Sequence, residues 1–103
     1  TVLVNRSTAS SAEALAGALQ DRNRAVILGE KSYGKGTVQE ISNLSDGSQL
    51  EITIGKYRTP SGRIIDQIGI TPDLLVSDND AIAKSVQVLG GLASIEDKSQ
   101  VKK

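Results

Sequence analysis

Neither cysteine nor histidine occurs in the 103 residues. Without cysteine there is no disulfide framework, no thiol nucleophile and no zinc-thiolate centre, and the redox compartment is left open. Without histidine the commonest general base and metal ligand is missing too. Any chemistry in this chain therefore falls to hydroxyls, carboxylates, lysines and backbone groups. Aromatic residues are scarce, two Tyr with no Phe or Trp, so a core has to be filled by the Val, Ile, Leu and Ala that dominate a 38% hydrophobic fraction. An excess of one charge is also lacking. Twelve basic residues balance twelve acidic ones, so no global field draws in nucleic acid or an anionic membrane, and partners are recognised locally. There is no apolar run of about eighteen residues and no signal-peptide pattern.

The length suits one small domain with a modest core. The chain opens directly on "TVLVN" (Thr1–Asn5), a β-rich stretch that reads as a buried strand, and this abrupt start is expected of a piece of a longer protein. From Ser11 to about Arg22, Ala12, Leu15, Ala16 and Leu19 recur at helical spacing, which predicts a helix with that stripe turned to a core. "AVILG" (Ala25–Gly29) is a second short strand. Strand, helix and strand over about thirty residues make a βαβ unit with parallel strands and a right-handed crossover. "TVQEI" (Thr37–Ile41) and "QLEITIGKY" (Gln49–Tyr57), joined through the Asp46-Gly47 turn signal, predict a hairpin. The last helix is expected to be capped by Asp78 or Asn79, to pack through Ile82, Val86 and Leu89, and to stop at Gly90-Gly91. The fold class is thus α/β: a βαβ unit, a small mixed sheet and a C-terminal helix.

Two residues carry both a structural and a chemical reading. Ser10-Ser11-Ala12-Glu13 fits S-x-x-E ahead of an apolar stripe, a capping box in which Ser10 caps the Glu13 N–H and Glu13 reaches back. Lys35, between Gly34 and Gly36, reads on its own as a solvated loop lysine. "GEKSYGKGT" (Gly29–Thr37) nearly spells the phosphate-binding G-x-x-x-x-G-K-[ST], but Gly36 stands where the magnesium-binding hydroxyl belongs, and the strand-like "TVQEI" follows where a helix N-terminus is needed. The chemical reading joins the two residues. Serine becomes a nucleophile when a base takes its proton, and without histidine that base is a carboxylate or a lysine held neutral. A lysine of ordinary pKa near 10.4 has to fall by about three units for this, at roughly 4 kcal/mol supplied by burial. Parallel pairing brings Ser10, just ahead of the helix, and Lys35, just past the second strand, to one carboxyl edge of the sheet.

"VLVNRSTASSAEALAGALQDRNRAVILGEKSYGKGTVQ", followed by "LEITIGKYRTPSGRIIDQIGITPD" (Leu50–Asp73), resembles the carboxyl-terminal processing peptidases, the tail-specific serine proteases of peptidase family S41. The resemblance joins a nucleophile motif, a correctly spaced "GKG" and a downstream "TPSGR" and "GI.PD" signature. The family usually reads S-A-S-E where this chain has Ser10-Ser11-Ala12-Glu13. The resemblance implies Ser10 as nucleophile, Lys35 as general base between Gly34 and Gly36, and Gln39 as the residue that orients the lysine. It gives Glu13 the acidic position three after the serine, with the Ser11 backbone N–H as one oxyanion donor, and it implies that no metal or organic cofactor is needed.

It further implies a fragment of a larger serine protease core of crotonase-like or ClpP-like fold. Residues 1–76 would be the C-terminal portion of that core, 77–93 a helix packing on it and 94–103 a disordered tail. An upstream PDZ domain, and an upstream glycine completing the oxyanion hole, are expected. Implied substrates are polypeptides with unstructured apolar C-terminal tails, and the implied location is extracytoplasmic: periplasm, cell envelope or thylakoid lumen. The isolated piece is expected to be inactive and to self-associate. The reading from another class is a non-catalytic tail-binding or interaction module that keeps the protease fold.

Overall fold

Residues 1–101 are described by the computed structural model. The elements in order are β1 (Val2–Val4), α1 (Ser11–Asp21), β2 (Ile27–Gly29), β3 (Thr37–Asn43), β4 (Gln49–Lys56), β5 (Leu74–Leu75) and α2 (Ala81–Val101). The short apolar runs of β1 and β2 pair in parallel, Val2 with Ile27 and Val4 with Gly29, across the α1 crossover, as the βαβ reading requires. β5, a strand with no clear sequence signal of its own, adds to the far side of β2 and gives the order β1-β2-β5. The carboxylate of Asp73 docks it. Asp73 accepts from the Ile27 N–H at 2.8 Å and from the Gln20 amide at 3.0 Å, while its own N–H donates to the Ile27 carbonyl at 2.8 Å.

The core is small and aliphatic: Val4, Ala16, Ile27, Ile65 and Ile70, with Val2, Ala14, Ala25 and Tyr57 against it. Ile65 and Ile70 come from an irregular segment that folds back beneath α1 after the hairpin. Asp21, at the end of α1, ties that segment down by accepting from the Ser61 N–H and hydroxyl and pairing with Arg63.

Two faces differ from the sequence expectation. The buried face of α1 is Glu13, Ala16 and Gly17, whereas Leu15 is 63% exposed. A buried carboxylate here takes a place that hydrophobic periodicity assigns to an apolar residue, so the expected stripe is rotated. α2 rests on β1 and β2 through the side that carries Ala81, Ser85 and Val88, with the Ser85 hydroxyl 2.6 Å from that of Thr1, while Ile82, Val86 and Leu89 face outward. Nor does α2 stop at Gly90-Gly91. It runs on to Val101, since glycine in a helix costs only about 1 kcal/mol relative to alanine and Leu92 continues the side that lies near Arg24 and Val26. Its first intrahelical acceptor is the Asp80 carbonyl, and Asp78 instead accepts from the Asn5 amide. The expected tail over 94–103 extends to residues 102 and 103, outside those described.

The β3–β4 hairpin forms a second, two-stranded antiparallel sheet with a register shift between Val38 and Gln39. It stands away from the core, so Ile41, Ile52 and Ile54 are all exposed.

Candidate active site

Because β1 and β2 run parallel, the loops leaving their carboxyl ends, residues 5–10 and 30–36, lie side by side. Backbone bonds lace them together: Glu30 N–H to the Val4 carbonyl at 3.0 Å, Tyr33 N–H to Thr8 at 2.9 Å and Ser10 N–H to Lys35 at 3.0 Å. An Arg6–Glu30 ion pair at 3.2 Å spans the same gap. The structure thus brings the backbones of Ser10 and Lys35, twenty-five residues apart in sequence, into direct hydrogen-bonding contact.

Ser10 occupies a backbone conformation that L residues rarely adopt, with φ 57° and ψ −124°. Such a residue stores about 1–3 kcal/mol of strain and persists only where its surroundings hold it. Here its N–H is shared between the Lys35 carbonyl and Glu13 Oε2, the latter at 2.9 Å. Ser10 is the last residue of the loop between β1 and α1, so the strain sits directly at the helix start. The capping box is present, with the Ser10 side chain at the Glu13 N–H and Glu13 reaching back to the Ser10 N–H. The Ser10 N–H is already occupied. The Ser11 N–H, at the first position of α1, belongs to the turn that has no intrahelical acceptor.

Glu13 is fully buried, and its carboxylate is the centre of the site. Oε2 accepts from the N–H groups of Ser10 and Lys35, the second at 3.0 Å; Oε1 accepts from the Gly34 N–H at 2.6 Å and from the Ser32 hydroxyl. One side chain therefore holds the helix start and the lysine loop in fixed relation.

The glycines flanking Lys35 are required by close approach. Gly34 has φ +90° and lies against the backbone of Gln67–Gly69, and a Cβ on Gly36 would sit 2.4 Å from the Asp66 backbone nitrogen. The segment they touch braces the loop: Gln67 N–H donates to the Gly34 carbonyl at 2.7 Å, Tyr57 N–H to the Gly36 carbonyl at 2.5 Å, and Gly36 N–H to Asp66 Oδ1 at 3.3 Å. The bracing residues lie on either side of "TPSGR", which is itself tied to Asp21, and reach the first residue of "GITPD", Gly69. β3, a strand and not a helix, follows the loop, so the near match to a phosphate-binding loop lacks its helix N-terminus.

The remaining predicted residues sit less tightly. The Lys35 side chain is exposed, and Ser10 is half-buried. Gln39 is engaged on the hairpin, donating to the Thr37 hydroxyl at 2.9 Å and accepting from Thr53 at 3.0 Å. Ser32 escaped the sequence reading altogether. It is buried, gives its proton to Glu13 and accepts from the Ile70 N–H at 2.6 Å. Nothing in "EKSYG" distinguishes it from a loop serine, and the one available clue is its place three residues before Lys35.

A family model, that of peptidase family S41, matches residues 1–76. Over 72 residues the chain is 54% identical to carboxyl-terminal-processing peptidase 2, chloroplastic, of Arabidopsis thaliana, covering 70% of this chain and 14% of that protein. It is 52% identical over 75 residues to a carboxyl-terminal-processing protease of Synechocystis sp., covering 73% and 18% of the two chains. Among solved structures, a photosystem II D1 C-terminal processing protease superposes with a TM-score of 0.70 at 50% identity, covering 74% of this chain and 20% of that one. Mature CPAF gives 0.62 at 26% identity, covering 78% and 16%. The chain thus spans less than a fifth of the length of the two curated relatives. Among the described residues no helix is long and apolar enough to cross a membrane.

Proposed function

The chain belongs to peptidase family S41, and from that membership we propose that it carries the catalytic pair of a carboxyl-terminal processing serine endopeptidase, with Ser10 as nucleophile and Lys35 as general base. The observation that carries this reading is the coupling of a strained serine turn to the lysine loop, through the Ser10 N–H to Lys35 carbonyl bond and the Glu13 carboxylate that grips both. An ordinary helix cap needs no strained φ and no buried carboxylate bridging to a second loop.

In the proposed reaction Ser10 Oγ attacks the peptide carbonyl while the neutral Lys35 amine takes its proton. The carbonyl oxygen becomes an oxyanion that the Ser11 N–H and a donor from elsewhere in the whole protein stabilise. Collapse breaks the C–N bond, Lys35 returns the proton to the leaving amine, and an acyl-serine ester remains. Water, deprotonated by the same lysine, hydrolyses the ester and restores Ser10. Because Lys35 is exposed in these residues, the low-polarity surroundings a neutral amine needs come from other segments of the whole protein, as does the second oxyanion donor. Loss of one such donor typically lowers the rate by about 100-fold to 1000-fold, so this piece alone is inactive. Gln39, which here bonds to Thr37 and Thr53, is the residue proposed to orient Lys35.

Substrates are polypeptides with unstructured apolar carboxyl-terminal tails, admitted by an upstream PDZ domain, in the periplasm, the cell envelope or the thylakoid lumen. Two curated relatives named chloroplastic accord with the last. The exposed Lys35 favours one competing reading, a tail-binding module that does not cut. In the full-length protein, Lys35→Ala is expected to abolish cleavage of a tailed substrate with unchanged melting. Lys35→Arg is expected to be nearly as damaging, because guanidinium stays protonated. A fluorophosphonate probe should label Ser10. Near-normal turnover in either lysine variant, or no labelling, refutes the dyad.

A further inference from the structure

We propose that Ser32 is a positioning residue of this site: its hydroxyl fixes the rotation of the Glu13 carboxylate and thereby the relative placement of Ser10 and Lys35. The proposal rests on the Ser10–Lys35 reading above and adds to it a residue that touches neither the substrate nor the reacting atoms.

The argument begins with the geometry of a carboxylate. The terminal torsion of a glutamate is broad, so burial alone does not fix where its two oxygens point. Oε2 faces the two N–H groups that matter, those of Ser10 and Lys35, at 2.9 and 3.0 Å. It can serve both only while the carboxylate plane is held at one angle. That angle is set from the other end, where Oε1 receives the Ser32 hydroxyl and the Gly34 N–H. Both donors belong to the lysine loop, residues 30–36. Gly34 brings a backbone N–H, whereas Ser32 brings a side chain tied to the core, because it exchanges two bonds with Ile70: Ser32 N–H to the Ile70 carbonyl at 3.1 Å, and Ile70 N–H to Ser32 Oγ at 2.6 Å.

The second of these bonds also directs the hydroxyl. With an Ile70 N–H on its lone pair, Ser32 Oγ turns its single proton to Glu13. Ile70 itself is 1% exposed and part of the core. The chain of contacts therefore runs from the core through Ile70 and Ser32 to Glu13, and from there to both backbones of the proposed dyad. Removing the Ser32 oxygen leaves Oε1 with the Gly34 N–H alone, cuts the side-chain link from Ile70 to the carboxylate, and leaves the Ile70 N–H facing no acceptor. A displacement of about 1 Å in a catalytic group can lower turnover by about 100-fold.

The test is made in the full-length protein with a tailed peptide substrate, with active sites counted by fluorophosphonate titration. Ser32→Ala is expected to lower kcat per titrated site by about 10-fold to 100-fold with KM close to that of the parent. Combining it with Glu13→Gln is expected to cost no more than Glu13→Gln alone, because both act through one carboxylate. If Ser32→Ala does not fold, Ser32→Cys, of the same shape and a weaker donor, takes its place with the same expectation. Parental kcat per titrated site, even with a lowered melting temperature, shows a purely structural serine and overturns the proposal, as does a fully additive double variant. Ser10→Ala and Lys35→Ala are run alongside. If either retains turnover, the dyad reading falls and this proposal with it; if both are dead while Ser32→Ala is unimpaired, only the Ser32 proposal falls.

Discussion

Replacing Glu13 with glutamine tests the site with the smallest change of shape. The buried carboxylate accepts four hydrogen bonds, two on each oxygen. An amide keeps one acceptor oxygen and turns the other into an NH2 group, which cannot accept from an N–H. If the NH2 takes the Oε2 position, the Ser10 N–H keeps the Lys35 carbonyl and only the Lys35 N–H is orphaned. If it takes the Oε1 position, the Ser32 hydroxyl can turn to accept and only the Gly34 N–H is orphaned. Either way one donor loses its acceptor, so Glu13→Gln should destabilise by about 1–3 kcal/mol. Urea unfolding followed by far-ultraviolet circular dichroism measures this, as a lower midpoint at unchanged slope. A variant within about 0.5 kcal/mol of the parent, the ordinary range for surface substitutions, would refute the four-bond account of Glu13.

Gly36→Ala should cost about 1–3 kcal/mol by overpacking, since its Cβ would meet the Asp66 backbone at 2.4 Å; an unchanged urea midpoint would show that the loop shifts freely. The Asp21 carboxyl is held well below its ordinary value of 3.8, chiefly by the Ser61 hydroxyl, with Thr59, the Ser61 N–H and Arg63 adding to it. A depressed carboxyl contributes stability that is present above the unfolded pKa and is lost as pH falls through the folded one. The stability gap between the parent and Asp21→Asn should therefore be widest above about pH 4 and narrow below it, and a gap that does not vary with pH would exclude this linkage. Finally, the outward residues Ile82, Val86 and Leu89 are 72%, 66% and 51% exposed. The 103-residue chain alone should self-associate in light scattering at micromolar concentration, and a clean monomer would count against it.

Local signals in the sequence located the βαβ unit, the hairpin and the paired loops, because short apolar runs, a helical repeat and an Asp-Gly turn each act over a few residues. What escaped were features decided by distant contacts. The α1 face was misjudged because Glu13 is buried by four donors from two loops, and residue-by-residue hydropathy cannot see donors that arrive from positions 32–35. β5 is two residues long, held in place by Asp73, and has no pattern of its own. The outward stripe of α2 satisfies the rule for a buried helix face, yet the side that rests on the sheet carries Ala81, Ser85 and Val88. At the site, Ser10, Glu13 and Lys35 were marked by motif, whereas Ser32, whose importance lies wholly in what it touches, had no motif to mark it.

The pairing of β2 with β5 also bears on the order in which the chain becomes structured. β2 and α1 are complete once residue 29 has been made, and α1 forms from local contacts alone. Yet Leu28 pairs with Leu74, and the Gly34 and Gly36 carbonyls find their donors only in Gln67 and Tyr57. Closing contacts across so many residues is slow relative to helix formation, because the intervening loop must first be ordered. On a ribosome, then, the serine turn and the lysine loop emerge early and stay loosely joined. They set into their final relation only when the segment around Ile65–Leu75 has emerged from the tunnel.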